Sequence, residues 1–158
     1  MARLPLLFAA PLLLLGCLRP PSPAEQVTDA ARELNLAARF GRLDVASERA
    51  SDAARKSFLE RRRQWGNELR VVDIDLSGLT LPDAEHAEVM VNVSWMRMSE
   101  GLLRNTVVVQ HWSNQELGWQ LTREKRVAGD VGLFGEQVVV LAPEQRPDVH
   151  YETRTIRE

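Results

Sequence analysis

The stretch Glu88-Val-Met-Val-Asn-Val-Ser-Trp-Met-Arg-Met98 is the first of three apolar runs that decide the fold of this chain. The second run extends from Leu102 to Trp112, and the third is Trp119-Gln-Leu-Thr-Arg-Glu-Lys-Arg-Val127. Valine and tryptophan, which favour strands, occur in all three. The segments between them, 99–101 and 113–118, are short and contain glycine, as hairpin connections do. The region is therefore predicted to form an antiparallel meander.

Helical periodicity precedes these strands, from Ala24 to Phe40, where apolar residues recur at spacings of three and four. They are Val27, Ala30, Ala31, Leu34 and Ala38. Gly41 is a plausible stop, Asp44 a plausible cap for the next helix, and a further break is expected near Ser51-Asp52.

A first strand is predicted from Leu69 to Leu81. Alternation places Val72, Ile74 and Leu76 on one face. Asp73 and Asp75 lie on the opposite face, which we expect to meet solvent.

The predicted fold class is therefore α+β, with N-terminal helices packed on one face of a curved antiparallel sheet. This cone-like domain covers residues 24–127, and residues 128–158 are expected to form a loop, a possible extra strand at 137–141 and a mobile polar tail.

Composition narrows the function classes. The chain has 158 residues, enough for one domain, and its formal net charge of −2 argues against a nucleic-acid partner. Cys17 is the sole cysteine, which excludes an internal disulfide and a cysteine-based zinc site. No cofactor or metal is predicted.

The N-terminus has the features of a secretory signal. Arg3 precedes an apolar run that is shorter than the roughly 20 residues a membrane span needs. The run ends in Leu14-Leu15-Gly16-Cys17, which resembles the bacterial lipoprotein signal and implies cleavage after Gly16 and lipidation of Cys17. The alternative is an ordinary signal peptide with a chance cysteine, or a buried free cysteine.

Residues 1–16 are thus assigned to the signal peptide, and residues 17–23 to the lipidated cysteine and a proline-rich tether. Residue 18 is Leu rather than Asp, so the resemblance implies an outer-membrane lipoprotein facing the periplasm.

The run Arg61-Arg62-Arg63 could indicate contact with nucleic acid or anionic lipid. Consecutive helical residues point about 100° apart, so the three cannot form one flat patch. We therefore expect a solvated helix end.

The order of elements resembles a known superfamily. Phe40-Gly-Arg-Leu-Asp44 ends a helix, and Ala87-Glu-Val-Met-Val-Asn-Val93 and Gly118-Trp-Gln-Leu121 occupy strands. This is similar to the nuclear transport factor 2-like superfamily, the cystatin-like cones that include the ketosteroid isomerases, and within it to small bacterial lipoproteins without an assigned activity. The resemblance implies a cavity between the concave face and the helices, where catalytic members place carboxylates, tyrosines or histidines.

No residue matches the isomerase catalytic pattern, and the sole tyrosine, Tyr151, lies outside the resembling region. His111 shares a predicted face with Val107 and Val109, so it is the candidate base that could be drawn inside. The candidate pocket or core residues are Trp65, Trp95, His111, Trp112 and Trp119.

These features predict a lipid-anchored cell-envelope protein with a non-catalytic binding or accessory role. Its partners would be the membrane, through the anchor, and a small hydrophobic ligand or an envelope protein. The alternatives are an enzyme that uses the cone cavity and a structural subunit of an envelope assembly.

Overall fold

The structure is a computed structural model that describes residues 19–137. The predicted signal peptide, the lipidation site Cys17 and the extra strand and tail from residue 138 onward lie outside the described residues. The helices are α1 (Pro23–Arg39), α2 (Leu43–Glu48) and α3 (Asp52–Arg61), and the strands are β1 (Leu69–Thr80), β2 (His86–Arg97), β3 (Leu103–Gln115) and β4 (Gly118–Gly129). The strands form one antiparallel sheet in the order β1-β2-β3-β4. The predicted α+β class, with helices on one face of a curved meander, is confirmed.

Helix α1 begins with a capping box. Ser22 donates its backbone N–H to Glu25 Oε2 at 2.6 Å, and its hydroxyl accepts from the Glu25 backbone N–H at 3.3 Å. The Glu25 carboxylate accepts from the Ser22 backbone N–H and, at 2.8 Å, from the Ser22 hydroxyl, and these two bonds, the backbone one first, hold the pKa of that carboxyl below its ordinary value. The predicted small-residue stripe is buried against the sheet, and Gly41 follows the helix with φ at +73°.

The two shorter helices meet at Ser51, as the predicted break requires. Asp44 is not the cap of α2, because Arg42 occupies the N-cap position and Asp44 lies in the first turn. The α2–α3 junction also pairs with the sheet: the Ser51 N–H donates to the Leu121 carbonyl at 2.9 Å, and the Leu121 N–H donates to the Arg49 carbonyl at 2.8 Å. The outer edge of β4 is therefore covered at this point.

Strand β1 contains a bulge that changes its inner face. Val71 pairs with Trp95 and Asp73 with Ser94, so Val72 is the extra residue. Val71 is consequently buried and Val72 is 36% exposed, which makes the predicted shared face of Val72, Ile74 and Leu76 wrong at Val72. Asp73 and Asp75 are exposed, as expected.

The core lies between the helices and the concave face of the sheet. It combines the alanine-rich face of α1 with Phe58 of α3, alternate residues of β2 and β3, and Leu133 beyond β4. No helix in residues 19–137 is long and apolar enough to span a membrane.

Candidate functional site

The concave interior is the place where a cone-shaped domain could hold a substrate. Arg62, directly after α3, projects into it and is only 2% exposed. Its guanidinium donates to both carboxylate oxygens of Glu124 on β4, with Nη2 at 2.6 Å from Oε2. Glu124 is 6% exposed, so the two charges form a bidentate pair inside the domain.

Aromatic rings enclose the same guanidinium. Its central carbon lies 3.8 Å from the ring centre of Phe58, 4.8 Å from that of Trp65 and 5.3 Å from that of Phe134. A cation over an aromatic face is attracted by the ring quadrupole, which offsets part of the cost of removing Arg62 from water. The positive charge thus faces one carboxylate and three rings, while the Nε–H of Arg62 has no acceptor within residues 19–137.

This arrangement corrects the expectation for Arg61-Arg62-Arg63. Arg61 and Arg63 are exposed, as expected, and Arg61 also donates through Nη1 to the Glu124 carbonyl at 2.8 Å, so the expectation is wrong at Arg62 alone. The burial of Arg62 could have been predicted from helical spacing. Arg62 follows Phe58 by four residues and precedes Trp65 by three, so it lies on the same buried stripe.

A second polar pair closes the interior between α1 and β3. Asn35 Nδ2 donates to Gln110 Oε1, and Gln110 Nε2 donates to Asn35 Oδ1, both at 3.0 Å. Asn35 Nδ2 also donates to the Ala31 carbonyl at 2.8 Å. Sequence reasoning missed both amides. If Val107, Val109 and His111 faced inward, strand alternation would put Gln110 on the outer face.

All four tryptophans are buried, with exposures of 6% for Trp65, 0% for Trp95, 1% for Trp112 and 2% for Trp119. Trp65 donates its indole N–H to the Leu133 carbonyl, and Trp95 donates its own to Thr106 Oγ1, both at 2.9 Å. Within residues 19–137, no acceptor serves the indole nitrogens of Trp112 and Trp119. The tryptophans therefore form walls of the core.

His111 lies on the outer face of the sheet, not in the core or a pocket. Its neighbours there are Glu88, with Oε1 3.3 Å from His111 Nδ1, and Arg123, with Nη2 3.3 Å from His111 Nε2. The inward residues of β3 are Thr106, Val108, Gln110 and Trp112. The expectation failed because Val107 and Val109 are more apolar than Thr106 and Gln110, whose polar groups are paired inside.

An open cleft lies at the mouth of the cone, where α1 ends beside β1 and β2. Its volume is about 440 Å³. The lining residues are Arg39, Phe40, Trp65, Gly66, Arg70, Val71, Val72 and Met96. We call this the mouth cleft, and Trp65 is the one predicted site residue that reaches it.

Further exposed apolar side chains lie at the same end of the domain as the mouth cleft. Residues at the start of β1 face those at the end of β2, since Leu69 pairs with Arg97, so the β2–β3 hairpin lies at this end. We define the distal end by Leu36 (44% exposed), Phe40 (64%), Met98 (59%), Leu102 (59%) and Leu103 (54%). Clustered exposed apolar residues mark interaction surfaces more often than isolated ones do.

The described part of the chain was also searched for side chains that could bind a metal ion. No group of three or more His, Cys, Asp or Glu side chains in residues 19–137 could hold a metal ion.

Comparison with known proteins bears on the fold alone. No family model matches the sequence, and no curated protein matches it. A ketosteroid isomerase-like protein from Erwinia carotovora atroseptica is similar at a TM-score of 0.55 and 11% identity, covering 66% of this chain and 96% of its own. A domain of unknown function with a cystatin-like fold from Nostoc punctiforme gives 0.54 and 12%, covering 68% and 78%.

A further similar structure is a SEC-C motif containing protein from Rhodopseudomonas palustris, with a TM-score of 0.56 and 16% identity over 68% of this chain and 83% of its own. The resemblance to the nuclear transport factor 2-like, cystatin-like cone superfamily is thereby confirmed as a resemblance of fold. Identities this low carry no residue roles from one protein to another.

The Arg62–Glu124 pair generates a stability prediction. Arg62→Met or Glu124→Leu alone leaves an unpaired buried charge and should lower the free energy of unfolding by about 3–5 kcal/mol. The double variant should lose less than either single variant, because no charge then remains buried. Chemical denaturation measures all three.

The exposed pair Arg49–Glu33, joined at 2.6 Å, is the control. Arg49→Met or Glu33→Leu should cost under about 1 kcal/mol. An Arg62→Met or Glu124→Leu loss no larger than this would contradict a closed buried pair.

Proposed function

We propose that this chain is a lipid-anchored cell-envelope protein with a non-catalytic binding or accessory role. The observation that carries the proposal is the occupied interior. The space that a catalytic cone would keep for substrate holds the Arg62–Glu124 and Asn35–Gln110 pairs, packed among Phe58, Trp95 and Trp112.

The state of Glu124 argues against its use as a general base. Both of its oxygens accept from Arg62, and a base must instead reach a proton on the substrate. Phe58 and Trp65, the two rings closest to the guanidinium, are 1% and 6% exposed, so they shield the pair from solvent on that side.

The distal end supports a binding role. It combines the mouth cleft with five large apolar side chains that are at least 44% exposed. Keeping such groups in water is unfavourable, and a bound ligand or partner would remove them from it. A small hydrophobic ligand would use the mouth cleft, whereas an envelope protein or an assembly subunit would cover the β2–β3 hairpin as well.

The proposed lipid anchor and the distal end lie at opposite ends of α1. Cys17 precedes α1 by six residues, and the 17-residue helix rises about 25 Å from the tether to its end at Arg39. A domain held by Cys17 would thus present the distal end away from the anchoring bilayer. We assign that bilayer to the bacterial outer membrane, with the domain in the periplasm, because Leu18 follows the cysteine.

Lipidation is tested by expressing the full chain in a bacterial host with labelled palmitate. The wild-type protein should carry label and fractionate with membranes, and Cys17→Ala should do neither. Ser22→Ala, in the same tether, should keep the label. Equal labelling of wild type and Cys17→Ala, or a mature N-terminus other than Cys17, would contradict the anchor.

The binding surface is tested by photo-crosslinking in the same cells. The photoreactive residue benzoylphenylalanine replaces Leu102 on the distal hairpin, and in a matched control it replaces Leu117, which is 81% exposed on the opposite hairpin. Adducts of defined mass should form from position 102 and be absent from position 117. Absent adducts at position 102, or equal adducts at the two positions, would contradict a distal binding role.

A further inference from the structure

The mouth cleft has one apolar wall and one basic rim. Trp65, Val71, Val72 and Met96 supply apolar surface, and Phe40 overhangs the opening at 64% exposure. The volume of about 440 Å³ falls within the roughly 300–1,000 Å³ typical of small-molecule sites. The rim contributes two arginines, Arg39 and Arg70, and none of the lining residues within 19–137 is acidic.

The two arginines differ in their ion pairing. Arg39 is held in place, with Nη1 2.9 Å from Asp73 Oδ1 and Nη2 donating to the Val72 carbonyl at 2.6 Å. Arg70 is exposed and has no ion-pair partner within residues 19–137. Asp73 therefore compensates one guanidinium, and the other leaves a positive charge beside the apolar wall.

Local backbone structure forms the cleft before any ligand arrives. The bulge at Val72 exposes that side chain and leaves its carbonyl to accept from Arg39. Gly66, with φ at +82°, allows the tight turn in which its N–H donates to the Leu69 carbonyl at 2.8 Å. A preformed site costs little ordering free energy on binding.

We propose that the mouth cleft binds a small amphipathic anion: an apolar chain or ring system that carries a single carboxylate or phosphate. The apolar body would lie against Val72, Met96 and the Phe40 ring, and the anionic group would accept hydrogen bonds from Arg70. The inference rests on the proposed binding function and names the ligand class for the same end of the domain. It places the ligand outside the cone interior, in a surface cleft beside an edge strand.

The test uses the mature chain, residues 17–158, carrying Cys17→Ala so that no acyl chain competes. Three fluorescent probes share one apolar body: 11-(dansylamino)undecanoate, the corresponding undecyl phosphate and the uncharged methyl ester. The anionic probes should show saturable binding, at least about tenfold tighter than the ester, as expected for a charge-assisted hydrogen bond. A preference for the carboxylate or for the phosphate assigns the head group.

Two variants that each remove one positive charge distinguish specific anion recognition from nonspecific binding of the probes. Arg70→Gln should weaken both anionic probes about tenfold and leave the ester unchanged, because it removes the unpaired charge only. Arg32→Gln, on an exposed stretch of α1, should change nothing. Both side chains are exposed, so neither variant disturbs the core.

Equal binding of ester and anions, or equal effects of Arg70→Gln and Arg32→Gln, would overturn anion recognition while leaving a hydrophobic binding role intact. Absence of saturable binding by all three probes would overturn the site itself. Crosslinking from position 102 would still report separately on the proposed function.

Discussion

The ion pair between Arg62 and Glu124 constrains the rest of the domain. Removing two charges from water costs free energy, and the attraction between them offsets this cost only if the geometry is close. That requirement fixes the end of α3 against β4, brings Phe58, Trp65 and Phe134 around the guanidinium, and closes the concave side of the sheet. Arg61 strengthens the same junction through the backbone of Glu124.

Because the interior of the cone is closed, the surface that a ligand could reach lies on the outside of the domain. The fold is a cystatin-like cone, and two hydrogen-bonded pairs and buried tryptophans occupy its concave side. The accessible apolar surface instead gathers at the distal end. The proposed binding function rests on this accessible apolar surface. A lipid anchor at Cys17 would orient the surface away from the membrane.

Much of the fold could be predicted from the sequence because its signals are local. The alternation in β2, the small-residue stripe of α1 and the glycine-containing turns each depend on neighbouring residues only. These signals were enough to assign the class, the element order and the meander.

The candidate site could not be predicted, because bulges change which residues face inward. On β4 the pairing of His111 with Arg123 and of Trp112 with Leu121 makes Thr122 an extra residue, and this turns Glu124 toward the core. On β1 the bulge at Val72 acts in the same way. Polar groups that find distant partners, such as Gln110 with Asn35, 75 residues apart, leave no local signal of burial.

The central claim, that the interior is a closed core, is tested most directly by hydrogen exchange of the indole N–H groups. In nuclear magnetic resonance spectra of the protein in D₂O, the signals of Trp65, Trp95, Trp112 and Trp119 should persist. Each should exchange only through the opening that also exposes the backbone amides of β2 and β3. An indole signal of Trp95 or Trp112 that disappears while those amides stay protected would reveal a water-filled cavity and contradict the account.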